Sequence, residues 1–535
     1  MKIIKILNTA IFLGLLFAST SCTKYLNEEA LTNVSADFVY NTPEGLETGV
    51  VGLYNMNRMT YEYSRHEYFS SLFMASKSDL VINRAGYLSL FGRYSRGVKT
   101  DDYSSTLLGA YFWQQNYRVV DRANAIIKGA EGVDMDDVKK NSIIAQAKFF
   151  RAQSYFTLYR QFNNIFVSEN PTTPESAFNL INDKSTKTEI FDLLYKDLDF
   201  AIANLDWTSD FGRVNQGVAR HLKAKVAVWN EDWVEAKLQS EKVITDGSYN
   251  LLPEVGDVFK GDLNNNETIF AVQLAEGLPG GTNGNMTNWN MIPAYSKVPG
   301  AKYTMEYGGK GAGFLLPNNY LLELLAADPN DKRDDDTYFR LKYYYNDGDN
   351  LPAGVNLGDV IDIYEQSTPG NKSPTNSRYY ERIHPSCLKF IEEGAIEDAT
   401  RQYSNIMIYR LAETYLIAAE ANMHTGGDAL MYMNAVRSRA GASDVAVVDQ
   451  QSLLDERARE LSFEGQRWYT LKRMGVLETQ IKAHQGDYLG KDADGNDMFY
   501  KAEGRDLFMS HFVNFPIPQS QLDLMGLSYP QNDGY

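Results

Sequence analysis

Cysteine is scarce in this chain, which carries only two in 535 residues, Cys22 and Cys387. If Cys22 is modified, as argued below, Cys387 has no partner, and we expect no intrachain disulfide. A chain of this length can bury a core large enough to fold without one. We therefore expect Cys387 to be a small buried hydrophobic residue. A nucleophilic role is not favoured, because no histidine and acid accompany it at a recognised spacing.

Positive charge is also in short supply. Lysine and arginine number 52 against 69 acids, which gives a formal net charge of −17. Removal of residues 1–21 would take away Lys2 and Lys5 and no acid, so the charge would become more negative by two. This balance argues against binding nucleic acid or anionic lipid through bulk charge. A neutral ligand fits better than an acidic one, with a local basic pocket as the alternative.

Long hydrophobic runs are missing after the N-terminus, and no later segment is apolar for long enough to cross a bilayer. The N-terminus itself combines two lysines, a short apolar stretch at 11–18, and small residues before Cys22. This pattern predicts a signal peptide over residues 1–21, cleavage before Cys22 and lipid attachment to that cysteine. The alternative is an ordinary signal with an incidental cysteine, since Ser19 stands where leucine is usual in lipoproteins.

Motifs for catalysis or metal binding are equally scarce. The six histidines are scattered, and His66–Glu67 lacks the second histidine of a zinc-protease helix. The glycines of 309–313 are not a phosphate loop, because no Lys-Ser/Thr pair follows them. Residues 492–497 have calcium-like acids, but the glycine comes too early and no terminal glutamate follows, which favours a hairpin turn. We therefore predict no catalytic residue, no metal and no cofactor.

Helical periodicity dominates three parts of the chain, roughly 106–162, 186–246 and 405–475. Apolar residues in 138–162 follow two stripes, which predicts a helix buried on two sides. Thr186 starts a capping box with the glutamate three residues later.

The helices are expected to pair across tight turns, such as 231–232 and 426–427. Asn215 is expected to cap the helix before the first of these turns, and Trp113 lies on a helical stripe and is expected in the core. The usual 34-residue repeat is not clean. We predict a mainly α fold, a degenerate tetratricopeptide-like helical-repeat scaffold of about four helix pairs.

Near the C-terminus, glutamates recur every four residues at Glu456, Glu460 and Glu464, with Arg457 and Arg467 three residues from a carboxylate. This spacing predicts a structural ladder of ion pairs along a helix surface, and a catalytic role is less favoured.

With the later segments 515–523 and 531–535, the stretch 456–475 resembles the C-terminal motif of the SusD/RagB family of surface glycan-binding lipoproteins. Residues 147–156 and 410–421 resemble the repeat helices of the same family.

The resemblance covers residues 22–535 and implies a lipoprotein anchored in the outer membrane and facing the exterior. Such a protein binds an oligo- or polysaccharide non-covalently and delivers it to a SusC-like TonB-dependent outer-membrane transporter, its expected partner. Two alternatives stay open, a peptide-binding relative of the same family and, less favoured, a glycoside hydrolase. Within this frame, helical repeats are expected over about 106–246 and 405–475.

Ligand-binding insertions are expected at about 83–104 and 250–400, which are rich in glycine, asparagine and tyrosine. Long loops on a helical scaffold are typically functional. Aromatic rings stack on the apolar faces of sugars, while polar side chains such as Asn288 and Asn290 bind hydroxyl groups. The alternative is that each ring only anchors its own loop. The candidate ligand-binding residues are Trp289, Tyr295, Tyr303, Tyr307, Asn83, Arg84, Tyr87 and Tyr94.

Overall fold

The computed structural model of the protein describes residues 40–61, 74–83, 110–277, 284–334, 336–361, 380–491, 497–500 and 508–535. The signal peptide, Cys22 and the loop residues Arg84, Tyr87 and Tyr94 lie outside these ranges, so the expectations for them stay predictions.

The chain is mainly α-helical, as predicted. Its helices, in order, are α1 (Pro43–Met59), α2 (Ala110–Ala130), α3 (Asp137–Phe162), α4 (Lys187–Asn204), α5 (Gln216–Trp229), α6 (Trp233–Asp246), α7 (Thr287–Met291), α8 (Asn319–Ala326), α9 (Tyr380–Ile383), α10 (Leu411–Thr425), α11 (Ala429–Arg439), α12 (Gln450–Leu461), α13 (Arg467–Arg473), α14 (Leu477–His484) and α15 (Gln519–Leu522). No helix in the described part of the chain is both long and apolar enough to cross a membrane.

Consecutive helices from α2 to α6 each pack against the next, α6 packs against α10, and α10 packs against α11. This nearest-neighbour stacking is the arrangement that helical repeats produce. Local sequence signals set the helix ends. Thr186 and Glu189 form the predicted capping box, Asn215 caps α5 through the Val218 amide, and Gly426 ends α10 in the left-handed conformation at φ 74°.

Strands are short and form antiparallel pairs in the described residues. The strands are β1 (Val81–Asn83), β2 (Thr268–Val272), β3 (Leu315–Pro317), β4 (Phe339–Arg340), β5 (Ser386–Cys387), β6 (Ile406–Arg410), β7 (Tyr488–Lys491) and β8 (Asp497–Tyr500). They pair as β1–β3, β2–β6, β4–β5 and β7–β8. The β7–β8 pair flanks the acidic segment for which a hairpin was expected.

The predicted helical segment from 405 starts too early. Residues 406–410 form β6 and pair with β2, and helix α10 begins only at Leu411. The short continuous apolar run at 406–409 is compatible with either structure, and the distant partner strand decides between them.

The core is aromatic as well as aliphatic. Trp113 is 2% exposed, as expected, and packs edge-on against Phe162. Cys387 is also buried as predicted, and burial raises the pKa of its thiol to about 12. Such a thiol stays protonated at neutral pH and is a poor nucleophile.

The surface ion-pair ladder predicted at 456–467 is wrong in its location and in most of its partners. Glu456 and Glu460 are fully buried. Arg333 donates to Glu456 at 2.7 Å and to Glu460 at 2.9 Å, and both Arg410 and Arg439 donate to Glu460 at 2.6 Å. Helix α12 therefore turns its charged stripe inward, and three arginines from distant segments converge on one carboxylate.

The two motif arginines likewise find partners elsewhere. Arg457 faces Glu413 at 3.5 Å, and Arg467 makes a two-pronged ion pair with Asp79. Since removal of Arg467 would leave Asp79 as a buried unpaired charge, this second pair ties together segments far apart in sequence. The charges keep the structural role predicted for them.

Candidate binding site

Strand pair β1–β3 joins Asn83, at the start of the shorter predicted insertion, to the end of the aromatic part of the longer one. Asn83 lies opposite Leu315 in the antiparallel register. The shorter loop begins directly after Asn83, and the aromatic part of the longer loop ends directly before Leu315. Asn83 itself is 6% exposed, and its amide donates to the Ser76 carbonyl at 2.7 Å. Its side chain holds the backbone at the start of the loop, which corrects the expectation that it binds ligand directly.

Trp289 lies close to the β1–β3 strand pair. It belongs to the short helix α7 and is half-buried. Its ring meets the half-buried ring of Phe314 edge-to-face, with 5.0 Å between centroids and 84° between planes. Because Phe314 directly precedes β3, this ring pair lies next to the strand from which the other loop departs. A partly exposed ring held by a perpendicular neighbour is suited to stacking on a ligand.

Backbone contacts fix the position of Trp289. Its carbonyl accepts from the Ala312 amide at 2.8 Å. A side chain at Gly311 would collide with the carbonyl of Ile292, so glycine is required for this close approach. The glycines in this loop thus bring its two halves together.

The polar neighbours of Trp289 form hydrogen bonds to the backbone of their own loop. Asn288 donates to the Gly308 carbonyl at 2.6 Å, and Asn290 donates to the Met286 carbonyl at 2.7 Å. Both side chains are buried. The expectation that they bind sugar hydroxyl groups does not fit this conformation, because burial keeps both side chains away from a ligand at the surface.

Tyr295 and Tyr307 belong to a second core and are corrected in the same way. Tyr295 is 0% exposed, lies against Tyr343 with 5.3 Å between ring centroids, and its hydroxyl bonds the backbone of Thr304. Tyr307 is 4% exposed, with Arg340 over its ring at 4.4 Å. Burial raises the pKa of both phenols. Neither ring offers a free face to a ligand.

Tyr303 takes an intermediate position. It is half-buried and packs edge-to-face on Tyr295, with 5.3 Å between centroids. Of the candidates in the longer loop, Trp289 and Tyr303 are therefore the two with partly exposed rings. The described residues contain no cluster of three or more His, Cys, Asp or Glu side chains that could hold a metal ion.

The β1–β3 pairing and the role of Phe314 are what sequence reasoning missed. Both strands have only three residues and are separated by more than 200 positions, so their pairing leaves no periodic signal. The one local hint is that each is a short apolar run beside a glycine-rich or tyrosine-rich loop.

Known proteins match this chain over most of its length. The family model described as "SusD family" matches residues 266–535, and one described as "Starch-binding associating with outer membrane" matches residues 24–219. "SusD-like protein P25" of Formosa agariphila is 24% identical over 512 residues, covering 88% of this chain and 90% of that one.

Solved structures show the same fold. A structure described as "Laminarin binding SusD-like protein" has a TM-score of 0.67 at 21% identity, covering 93% of this chain and 100% of that one. A SusD homolog from Bacteroides thetaiotaomicron has a TM-score of 0.72 at 18% identity, covering 94% of this chain and 98% of that one.

Proposed function

We propose that this chain, which belongs to the SusD family, binds a neutral oligo- or polysaccharide non-covalently at the cell surface. One observation carries the proposal, the half-buried ring of Trp289 held perpendicular to Phe314 beside the β1–β3 pair. The family membership, the matching family model described as "Starch-binding associating with outer membrane" and the structure described as "Laminarin binding SusD-like protein" support a sugar as the stacking partner. The net charge of −17 favours a neutral one.

Within the site, we assign stacking to Trp289 and Tyr303, joined by Tyr87 and Tyr94 from the shorter loop. Arg84 directly follows β1 and would bind sugar hydroxyl groups. A few aromatic anchors dominate the binding energy of such sites, so we expect Trp289 to be the largest single contributor.

The same proposal places the protein on the outer membrane, with its N-terminal lipid on Cys22 and its folded part outside. An acyl anchor gives membrane affinity without a spanning helix. We propose that the captured glycan passes to a SusC-like TonB-dependent transporter beneath, over which the protein lies as a lid. A lid contacts a barrel over a broad rim, so this contact does not depend on the Trp289 loop alone.

Parallel binding screens test this function. The mature protein is applied to a glycan array and to a peptide library, and positive ligands are incubated with it to look for cleavage. Binding of neutral glycans without turnover is the expected result. Binding of peptides only would favour the peptide-binding relative, and hydrolysis of a glycan would identify a glycoside hydrolase.

A further inference from the structure

A cavity among the helices is lined by a buried arginine, Arg160, which has no acidic partner among the described residues. Its walls come from α1, α2, α3, α5, β6 and residues 464–469, and none of its described lining residues belongs to the Trp289 loop. The space in it that can hold the centres of water molecules is about 80 Å³. Since about 10–15 Å³ of such space holds one water, the cavity has room for several waters or for one small polar molecule.

Arg160 on α3 lines this cavity and is 9% exposed. Its guanidinium lies over two rings, 4.3 Å from the centroid of Phe156 and 4.1 Å from that of Tyr469. Arg160 makes no ion pair with any described residue, and its Nε is buried without a hydrogen-bond partner. The two rings accept no conventional hydrogen bond from the guanidinium, whose N–H groups are the part that binds carboxylates in two-pronged geometry.

The surroundings of Arg160 do not balance its charge. Lys225, also in the wall, is paired with Glu413 at 2.8 Å, and that carboxylate is shared with Arg457. The one acid in the described lining, Glu464, is held by Lys389 and Arg410.

The titration of a neighbouring lysine agrees with this excess of positive charge. Burial, and after it the nearby charge of Arg160, lowers the pKa of Lys472 to about 7. A buried charge without compensation is costly, so an anion entering the cavity would be stabilised there.

Neutral polar groups complete the wall. The neutral side chains come from α3 and are Gln153, Thr157 and Gln161. They line the cavity together with Arg160, because residues three or four apart lie on one face of a helix and Gln161 is adjacent to Arg160. The amide oxygen of Gln161 is buried and has no hydrogen-bond partner, while its nitrogen donates to the Tyr469 hydroxyl at 2.8 Å. Two residues of the cavity wall thus carry unused groups, a donor on Arg160 and an acceptor on Gln161.

We propose that this cavity is a second ligand site, which binds a small carboxylate-bearing, hydroxyl-rich molecule of the size of a hexuronic acid. Its carboxylate pairs with the edge of Arg160, and one of its hydroxyl groups donates to Gln161. The site is separate from the neutral-glycan site proposed at Trp289 and does not require that proposal to hold.

Calorimetry on the mature chain tests the site with three probes, D-glucuronate, D-glucose and inorganic phosphate. We expect glucuronate to bind measurably, and glucose and phosphate to bind at least about tenfold more weakly, because each lacks one half of the match. Arg160→Gln should weaken glucuronate binding at least about tenfold. The control is Arg213→Gln, since Arg213 also covers a tyrosine ring, at 4.5 Å, but lies on the surface.

Folding of the variants is checked by thermal melting. If Arg160→Gln does not fold, two other variants replace it. Arg160→Lys keeps the charge but loses the forked guanidinium, and Thr157→Val removes a hydroxyl from the cavity wall. Each should weaken glucuronate binding severalfold. The proposal is overturned if glucuronate does not bind the wild type, if folded Arg160 and Thr157 variants bind it as well as Arg213→Gln does, or if phosphate binds equally well. Trp289→Ala should leave glucuronate affinity unchanged, which separates this site from the glycan site.

Discussion

The guanidinium of Arg467 donates two hydrogen bonds to the carboxylate of Asp79, 2.8 Å from Nε and 2.7 Å from Nη2. Both side chains are buried, at 4% and 0% exposure. Arg467 begins α13 within the C-terminal motif, and Asp79 lies two residues before β1. The pair therefore ties the motif to the strand from which the shorter loop of the candidate site departs.

Removal of this pair should destabilise the fold strongly. We predict that Arg467→Met lowers the free energy of unfolding by about 3–5 kcal/mol, because Asp79 is left as an uncompensated buried charge. Urea unfolding measures the change. Lys482→Met is the matched control, since Lys482 pairs with Glu478 at the surface, and it should cost no more than about 1 kcal/mol. Equal effects of the two substitutions would contradict the role given to Asp79.

Acid should weaken the network around Glu460. Burial raises the pKa of this carboxyl, but Arg439, Arg410 and Arg333 outweigh burial and hold the pKa well below its usual range. A carboxyl with a lowered folded pKa contributes stability above its unfolded pKa, about 4.3, and this contribution is lost as pH falls further. Urea midpoints should therefore fall as pH decreases from about 5 toward 3.

The contribution of Glu460 to this pH dependence can be isolated. Glu460→Gln should be less stable at pH 7 and should lose less further stability in acid than the wild type, because it has one fewer proton to take up. Glu478→Gln, at an exposed ion pair, is the control and should keep the wild-type slope. An unchanged slope in Glu460→Gln would show that this carboxyl does not govern acid stability.

We expect membrane anchoring to depend on Cys22 alone. Cys22→Ala should move the mature protein from the membrane fraction into the soluble fraction, because acyl chains supply the membrane affinity. Fractionation after a high-salt wash, with mass spectrometry of the wild-type N-terminus, measures this. A variant that stays on the membrane, together with a wild type that carries no lipid, would contradict the proposal.

The transporter partner is tested by purification. Tagged protein extracted from its native membrane in mild detergent should bring along a large outer-membrane barrel. Trp289→Ala should retain the barrel, since a lid contacts its partner over a broad rim. Recovery of the tagged protein without any barrel would argue strongly against delivery to a transporter.

Local interactions are what the sequence predicts well in this protein. The capping box of Thr186 and Glu189 and the cap at Asn215 involve residues three apart, so their geometry follows from sequence spacing alone. The partners of Glu460 could not be predicted in this way. Arg333 and Arg410 are 127 and 50 positions away, and only the packing of the whole chain brings them together.

The candidate site shows the same difference between local features, which the sequence predicts, and long-range contacts, which it does not. The glycine-rich loop and its aromatic residues could be read from composition, but their exposure could not. Tyr295 and Trp289 lie six positions apart in one loop, yet the first is fully buried while the second is partly exposed. Three rings pack around Tyr295, those of Tyr303 and Tyr307 and that of Tyr343 from another segment, and the last could not be foreseen from the loop itself.

The most direct measurement of the central claim is calorimetry on Trp289→Ala with the best neutral glycan from the array, alongside a melting curve. The control is Trp207→Ala, because Trp207 is also half-buried but lies after α4, where Arg220 covers its ring at 5.5 Å. We predict that Trp289→Ala weakens glycan binding by about 1–3 kcal/mol with little change in melting temperature, while Trp207→Ala leaves the affinity unchanged. Unchanged affinity in Trp289→Ala, or a loss accompanied by a fall of many degrees in melting temperature, would contradict the claim.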